Sequence, residues 1–246
     1  MTKGEKSNRS HFKFSFIVPN AITLAGTCSA LTGMKVAMEG RFVLATIYII
    51  LAAIFDGLDG RAARLLKASS SFGEILDSLS DFVAFGVAPA FIMYFWVSHN
   101  YNGFGWAITL FFVMCCGLRL ARFNAMLDTQ PDYASNFFQG IPAPAGALVA
   151  LLPLMLSFNE IILPDTVVIG WFIATAFLMV SIVPMFSFKK TKIPARYVLP
   201  LMALVGLILA GIAGRPWLTL SLVLFLYVLS IPLSYRQYKK LEKEHS

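Results

Sequence analysis

Asp56, Asp59, Glu74, Asp77 and Asp81 gather five of the 13 acidic residues of a 246-residue chain between positions 56 and 81. Asp56 and Asp59 are three residues apart and Asp77 and Asp81 four apart, so on helices each pair lies on one face and converges on one point. An aspartate near the middle of a membrane span costs about 2.5 to 3.5 kcal/mol, so several in adjacent helices require partners, water or metal. Clustered carboxylates stay ionised only when cations neutralise them, and an all-oxygen donor set selects hard divalent ions, Mg²⁺ or Mn²⁺ ahead of Zn²⁺. Two ions bridged by shared carboxylates suit phosphoryl transfer, where a metal pair clamps the attacking and leaving oxygens of an in-line displacement. Arg64, one turn beyond Gly60, adds a forked donor for a phosphate. Carboxylates, metal and arginine together point to a phosphorylated substrate.

The elements that must carry these residues are membrane helices. Apolar residues make up 58% of the chain, charged residues 13%, and mean hydropathy is +0.73, outside the balance of a soluble domain. Runs long enough to cross roughly 30 Å of hydrocarbon fall at about residues 17–38, 42–64, 73–97, 104–124, 142–158, 166–186, 197–213 and 217–235. The expected fold is an all-α polytopic membrane protein of about eight helices; the fifth and seventh runs are short, which leaves six or seven spans open. Residues 65–72, with Lys67 and Ser69-Ser70-Ser71, read as a turn between antiparallel helices. Counted from that turn at about 1.5 Å per residue, both aspartate pairs lie roughly 8 to 14 Å deep, so the carboxylates face one another across one helix interface. Gly60 and Gly73 remove side chains on either side of the turn and let backbone or ligand come close.

An even number of spans puts both termini on one side. With that side taken as the cytoplasm, all 20 Lys and Arg except Lys35, Arg41 and Arg215 fall there, as the positive-inside rule requires, and the acidic site opens there too. The net charge of +7 then reflects orientation and attraction to anionic membrane lipids; no aromatic-basic motif for nucleic acid is present. Residues 1–16 read as a retained N-terminal segment, because its polar start is too long for a cleaved signal. Within it His11 to Phe16 interleave aromatic and polar side chains, which suits an interfacial segment and equally a disordered basic tail. Cys28, Cys115 and Cys116 sit inside spans without ligand spacing and read as packing residues, while His11, His99 and His245 are too scattered for a metal site or a triad. Trp96, Trp106, Trp171 and Trp217 stand near expected span ends, as interfacial aromatics do.

The stretch Asp56-Gly-Leu-Asp59-Gly60-Arg-Ala-Ala63-Arg64, then eight residues, then Gly73-Glu-Ile-Leu-Asp77-Ser-Leu-Ser-Asp81, fits D-x2-D-G-x2-A-R-x8-G-x3-D-x3-D at all eight fixed positions. It resembles the signature of the CDP-alcohol phosphotransferases. That resemblance implies a membrane enzyme that moves a phosphatidyl group from CDP-diacylglycerol to an alcohol and releases CMP. It implies that Asp56, Asp59, Asp77 and Asp81 ligate a pair of divalent ions, Mg²⁺ or Mn²⁺, and that Asp81 also takes the proton of the attacking hydroxyl. Gly60, Arg64, Ser70 and Gly73 would lie along the CDP-lipid. Pro19-Asn20-Ala-Ile-Thr23 resembles the P-N-x-x-T element that borders the nucleotide in that family, which adds Asn20 and Thr23. A homodimer is implied, with residues 17–186 as the six-helix unit shared across the family; residues 187–235 would add two helices and 236–246 a basic tail. A bacterial inner membrane is the expected location. Glu74 stands outside the fixed positions and reads as a first-turn helix charge.

The acceptor must be chosen elsewhere. Leu118-Arg119-Leu120-Ala121-Arg122-Phe123-Asn124 and Phe138-Gln139-Gly140-Ile141-Pro142-Ala143-Pro144-Ala145 resemble the branch of that family that accepts L-serine. Serine carries a carboxylate and an ammonium, and arginine offers forked donors to the first. Arg119 and Arg122 share a helix face at a span end, so they either bind serine or the lipid phosphate or only anchor that end by charge. Asn124 either joins them or caps the helix. Sister enzymes that use glycerol 3-phosphate, inositol phosphate or choline are the alternative, since Arg119 with Arg122 would also suit a phosphorylated acceptor. A cation transporter would distribute its acids along a route, and a membrane prenyltransferase would carry two motifs on distant helices; neither pattern is present here. Lys189, Lys190, Lys192 and Arg196 read as a lipid-facing anchor.

Overall fold

The computed structural model describes residues 14–68, 70–126, 137–181, 183–186, 198–232 and 234–235. The N-terminal segment through residue 13, Ser69, the cluster Lys189, Lys190, Lys192 and Arg196, and the tail from Arg236 lie outside the described residues. Helices dominate: α1 (Phe14–Met38), α2 (Phe42–Leu65), α3 (Ser71–Asp81), a π-helical segment (Phe82–Val87), α4 (Ala88–Trp96) and α5 (Asn102–Met126) come first. After them come α6 (Ala143–Ala150), α7 (Leu152–Ser157), α8 (Asp165–Val180), α9 (Val198–Gly214) and α10 (Pro216–Leu229). Four continuous helical stretches, Phe16–Met38, Phe42–Leu65, Ser71–Trp96 and Ser98–Ala125, are long and apolar enough to cross a membrane, and three shorter apolar helices follow. The chain is an integral membrane protein built of helices.

Three expectations are corrected. The run 142–158 is two short helices that meet at Leu151, because Pro153 has no N–H to give the carbonyl of Val149. Trp171 Nε1 donates to that carbonyl instead, at 2.7 Å, so the break leaves no orphan and this tryptophan serves packing inside the bundle. The run 166–186 is helical only to Val180, and Pro184-Met185-Phe186 turns into a strand, β2. It pairs antiparallel with β1 (Phe137–Gln139), Gln139 opposite Pro184 and Phe137 opposite Phe186, so the fold is helical with one small ladder. Three-residue strands are too short to show a period of two in the sequence. The turn after α2 is also shorter than expected, since Ser70 caps α3 and places Ser71 and Phe72 inside the helix.

Lipid tails are as apolar as leucine, so close packing holds such helices together more than apolar burial does. On α1 the small residues Gly26, Ala30, Gly33 and Ala37 form a stripe, and α2 meets it with Ala45, Ile49 and Ala52, all buried. A Cβ on Gly33 would stand 3.0 Å from Tyr48 Cβ and 3.1 Å from the Ala45 carbonyl, so this pair of backbones could not approach as it does with a larger residue. The same economy joins the π segment to α5: Gly86 sits against Cys116, and Gly117 against the ring of Phe82. Cys115 and Cys116 are buried free thiols that fill space in this contact, whereas Cys28 is exposed. Deeper in the bundle Phe112 of α5 stacks on Phe172 of α8 with ring centroids 4.5 Å apart. Helix α9 buries none of its residues, and its leucines and valines face outward.

Candidate active site

Helices α2 and α3 bring the aspartates to one place. Asp56, Asp59 and Asp77 each present a carboxylate oxygen within 4.8 Å of the other two. Asp81, one turn past Asp77, meets the carboxyl group of Asp56. All four border a small chamber of about 10 Å³, with Thr23, Ser80 and Phe85 among its other walls. That is room for about one water-sized occupant among carboxylate oxygens.

Helix α1 holds the cluster from the third side. Thr23 Oγ1 lies 2.7 Å from Asp59 Oδ2 and 3.1 Å from the Pro19 carbonyl; with a single proton, it donates to the nearer carboxylate. One turn on, Thr27 Oγ1 contacts Ser80 Oγ, and Ser80 Oγ also reaches the carbonyl of Thr23 at 3.2 Å. Ser80 precedes Asp81, so this pair of hydroxyls pins the end of α3 to α1 directly behind the acids. Thr27 and Ser80 were not among the residues expected from the sequence. Their signal was hydroxyls at Thr23, Thr27 and Ser80 inside otherwise apolar runs, where a polar side chain needs a partner.

Toward the α2–α3 turn the chamber adjoins a cleft of about 190 Å³, and Thr23, Asp59 and Asp77 line both spaces. Asn20, Gly60, Arg64, Ser70 and Gly73 also line the cleft. Ser70 Oγ accepts the backbone N–H of Gly73 at 3.1 Å, which caps α3 and leaves the helix N-terminus facing the cleft. A Cβ at Gly73 would come 3.2 Å from Asn20 Oδ1 and 3.3 Å from Ser70 Oγ, whereas one at Gly60 would meet nothing within 4 Å. The bare backbone at Gly60 therefore opens space for a ligand and not for a neighbouring helix. Arg64 Nε folds back on the Gly60 carbonyl at 3.0 Å, and the exposed guanidinium stands at the cleft. Exposed Glu74 lines the cleft but stands apart from the three-carboxylate cluster.

The two arginines of α5 part company. Arg119 is buried, donates Nε to the Ile141 carbonyl at 2.7 Å and lies within electrostatic reach of Asp81 and Asp56. Arg122 gives both terminal nitrogens to the end of α8, at 2.6 Å to the Val180 carbonyl and 2.9 Å to the Ser181 carbonyl. Those carbonyls lack helical donors because Pro184 ends the run, so Arg122 serves as the C-cap of α8. Gly140, at φ +73°, tucks against the neighbouring carbonyls of Leu178, Met179 and Ser181. Asn124 Nδ2 donates to Ser78 Oγ at 3.0 Å, which ties the end of α5 to the helix that carries Asp77 and Asp81.

The residues fit a divalent metal. The donor set is all carboxylate oxygen, three of its members converge within 4.8 Å, and the space between them has the size of one small occupant. Thr23 supplies the outer hydrogen bond that orients a ligating carboxylate. Replacing Thr23 with valine keeps the shape and removes that donor; metal affinity, read by Mn²⁺ titration of activity, is expected to fall about 10- to 100-fold. Unchanged affinity would leave Thr23 a packing residue.

The family model for CDP-alcohol phosphatidyltransferase matches residues 16–234. A CDP-diacylglycerol–serine O-phosphatidyltransferase of Mycobacterium tuberculosis is 39% identical over 229 residues, covering 89% of this chain and 78% of the relative. A protein of the same description from Helicobacter pylori is 36% identical over 217 residues, 87% of this chain and 89% of its own. One from Methanocaldococcus jannaschii is 33% identical over 220 residues, 88% of this chain and 96% of its own. The carboxylate cluster of α2 and α3 thus sits within a match that spans most of both chains, and the protein belongs to the CDP-alcohol phosphatidyltransferase family.

Proposed function

We propose that the chain transfers the phosphatidyl group of CDP-diacylglycerol to L-serine, giving phosphatidylserine and CMP. The observation that carries this reading is the wall shared by the cleft and the carboxylate chamber, formed by Thr23, Asp59 and Asp77. A nucleotide-linked phosphate in the cleft is thereby delivered to the acids. The relatives named for the serine reaction support the choice of acceptor.

In this reading Asp56, Asp59, Asp77 and Asp81 would hold two divalent ions, Mg²⁺ or Mn²⁺, one in the chamber and the second where Asp59 and Asp77 also line the cleft. When bound, they offset negative charge on the phosphate under attack and on the departing CMP. Asn20, Thr23, Gly60, Arg64, Ser70 and Gly73 bind the CDP moiety, with Arg64 and the capped start of α3 facing its phosphates. Asp81 accepts the proton of the serine hydroxyl as the new P–O bond forms; the P–O bond to CMP breaks, and CMP leaves with the bridging oxygen. Arg119, within electrostatic reach of Asp81, receives the serine carboxylate. Arg122 and Asn124 support it through α8 and Ser78.

The protein works as a homodimer of eight-span subunits in a bacterial inner membrane, with both termini and the site on the cytoplasmic face. The Lys and Arg distribution supports that orientation. Purified protein supplied with Mn²⁺ or Mg²⁺, CDP-diacylglycerol and labelled alcohols tests the acceptor: CMP release with L-serine is expected. Release with glycerol 3-phosphate, inositol phosphate or choline in place of serine would move the chain to a sister activity.

A further inference from the structure

We infer that Thr27 and Ser80 are positioning residues: their paired hydroxyls clasp α3 to α1 and hold Asp77 and Asp81 in register with Asp59, which α1 holds through Thr23. The inference rests on the divalent-metal reading of the site above.

Helix α1 supplies no carboxylate, yet it holds the helices on both sides of the cage. Thr23 Oγ1 donates to Asp59 Oδ2 at 2.7 Å and so fixes the α2 side. Thr27, one turn along the same face of α1, meets Ser80 of α3. The two hydroxyls have two protons between them and three contacts within reach: Thr27 with Ser80, and each of them with the Thr23 carbonyl at 3.2 Å. One hydroxyl therefore donates to the other and the second donates to the carbonyl, an arrangement that needs both. Ser80 is buried and lines the chamber beside all four aspartates. It stands three residues after Asp77 and directly before Asp81, so a shift of its backbone moves both carboxylates.

The third span needs an anchor at this point. From Phe82 to Val87 its helix widens to π, and the N–H of Ala88 bonds the carbonyl of Val83, five residues back. A π turn takes up extra residues, so Asp81 stands at a junction whose rotation the α-helical ladder does not set by itself. Gly86 and Gly117 let α5 grip the segment beyond the junction, and the Thr27–Ser80 pair grips the span just before it. Hydrogen bonds between membrane helices add little to stability, because an unfolded span finds other partners. What this pair contributes is the placement of the acids.

Thr27→Val, Ser80→Ala and the double variant of the full-length protein test this, by Mn²⁺ binding without substrate, read from the paramagnetic resonance of the free ion. Each single variant is expected to bind Mn²⁺ about tenfold more weakly, as when an outer hydrogen bond behind a metal ligand is lost. The melting temperature and the KM for CDP-diacylglycerol should match those of Thr32→Val, a threonine of α1 whose hydroxyl bonds the Cys28 carbonyl of its own helix at 2.7 Å. The double variant should lose no more than the larger single loss, since either substitution opens the clasp. Thr27→Ser, which returns the hydroxyl, should restore the wild-type affinity. Unchanged Mn²⁺ affinity in the single variants overturns the inference, and additive losses do so too, because the hydroxyls would then act separately. A fall in melting temperature shared by Thr27→Val and Thr27→Ser would mark a packing role and also overturn it. Wild-type protein that binds no Mn²⁺ would sink the metal reading itself, and would be seen before any variant is made.

Discussion

Asp81→Asn is expected to lower the rate of CMP release about a thousandfold and to leave CDP-diacylglycerol binding within about threefold of wild type, from the usual contribution of a positioned base. The amide matches the carboxylate in shape but cannot take a proton, and an alcohol whose pKa lies far above 7 does not attack unaided. Binding should survive because Asp81 borders the chamber and not the cleft, where Asn20, Gly60, Arg64, Ser70 and Gly73 stand. Single-turnover CMP release and retention of radiolabelled CDP-lipid separate the two effects. Wild-type turnover in the variant would remove Asp81 from the chemistry. Lost binding with lost turnover would make it a structural member of the cage.

Gly140→Ala is expected to destabilise the protein by roughly 3 kcal/mol or more, combining a left-handed backbone with overpacking. At φ +73° the position already disfavours any side chain, and a Cβ there would lie 2.7 Å from the carbonyl oxygens of both Met179 and Ser181. These are backbone atoms at the end of α8, so no side chain can swing aside to relieve the clash. Ile141, the next residue, carries the carbonyl that holds Arg119, so the serine KM should rise more than that for CDP-diacylglycerol. Thermal unfolding in detergent and the two KM values measure this. Gly170→Ala, where a Cβ would meet nothing within 4 Å, is the matched control. Equal melting temperatures for the two variants would contradict the packing described for the α8 end.

How far the sequence could be read depended on whether an interaction was local. The aspartate pairs were legible because spacings of three and four act within one helix, and a short turn between apolar runs leaves two helices little choice but to lie antiparallel. The long spans from α1 to α5 were legible for the same reason, since each announces itself by length and apolarity alone. The break at Leu151 was not: an unbroken apolar run hides Pro153, and the replacement donor, Trp171, comes from another helix. Arg119 and Arg122 show the limit most clearly. Three residues apart on one face, they read as equivalent, yet one is buried within reach of the acids and the other is spent on the carbonyls of α8. Only the arrival of α8 and the β1–β2 ladder distinguishes them.

The central claim is that the carboxylates of α2 and α3 form one divalent-metal cage next to the CDP-lipid cleft. Electron paramagnetic resonance of the purified protein titrated with Mn²⁺, in wild type and in Asp59→Asn and Asp77→Asn variants, tests it most directly. The account predicts two bound Mn²⁺ per chain with a spin-coupled signal in wild type, and loss of that coupled signal in each variant. Mn²⁺ binding that is absent in wild type, or that survives both substitutions unchanged, would contradict it.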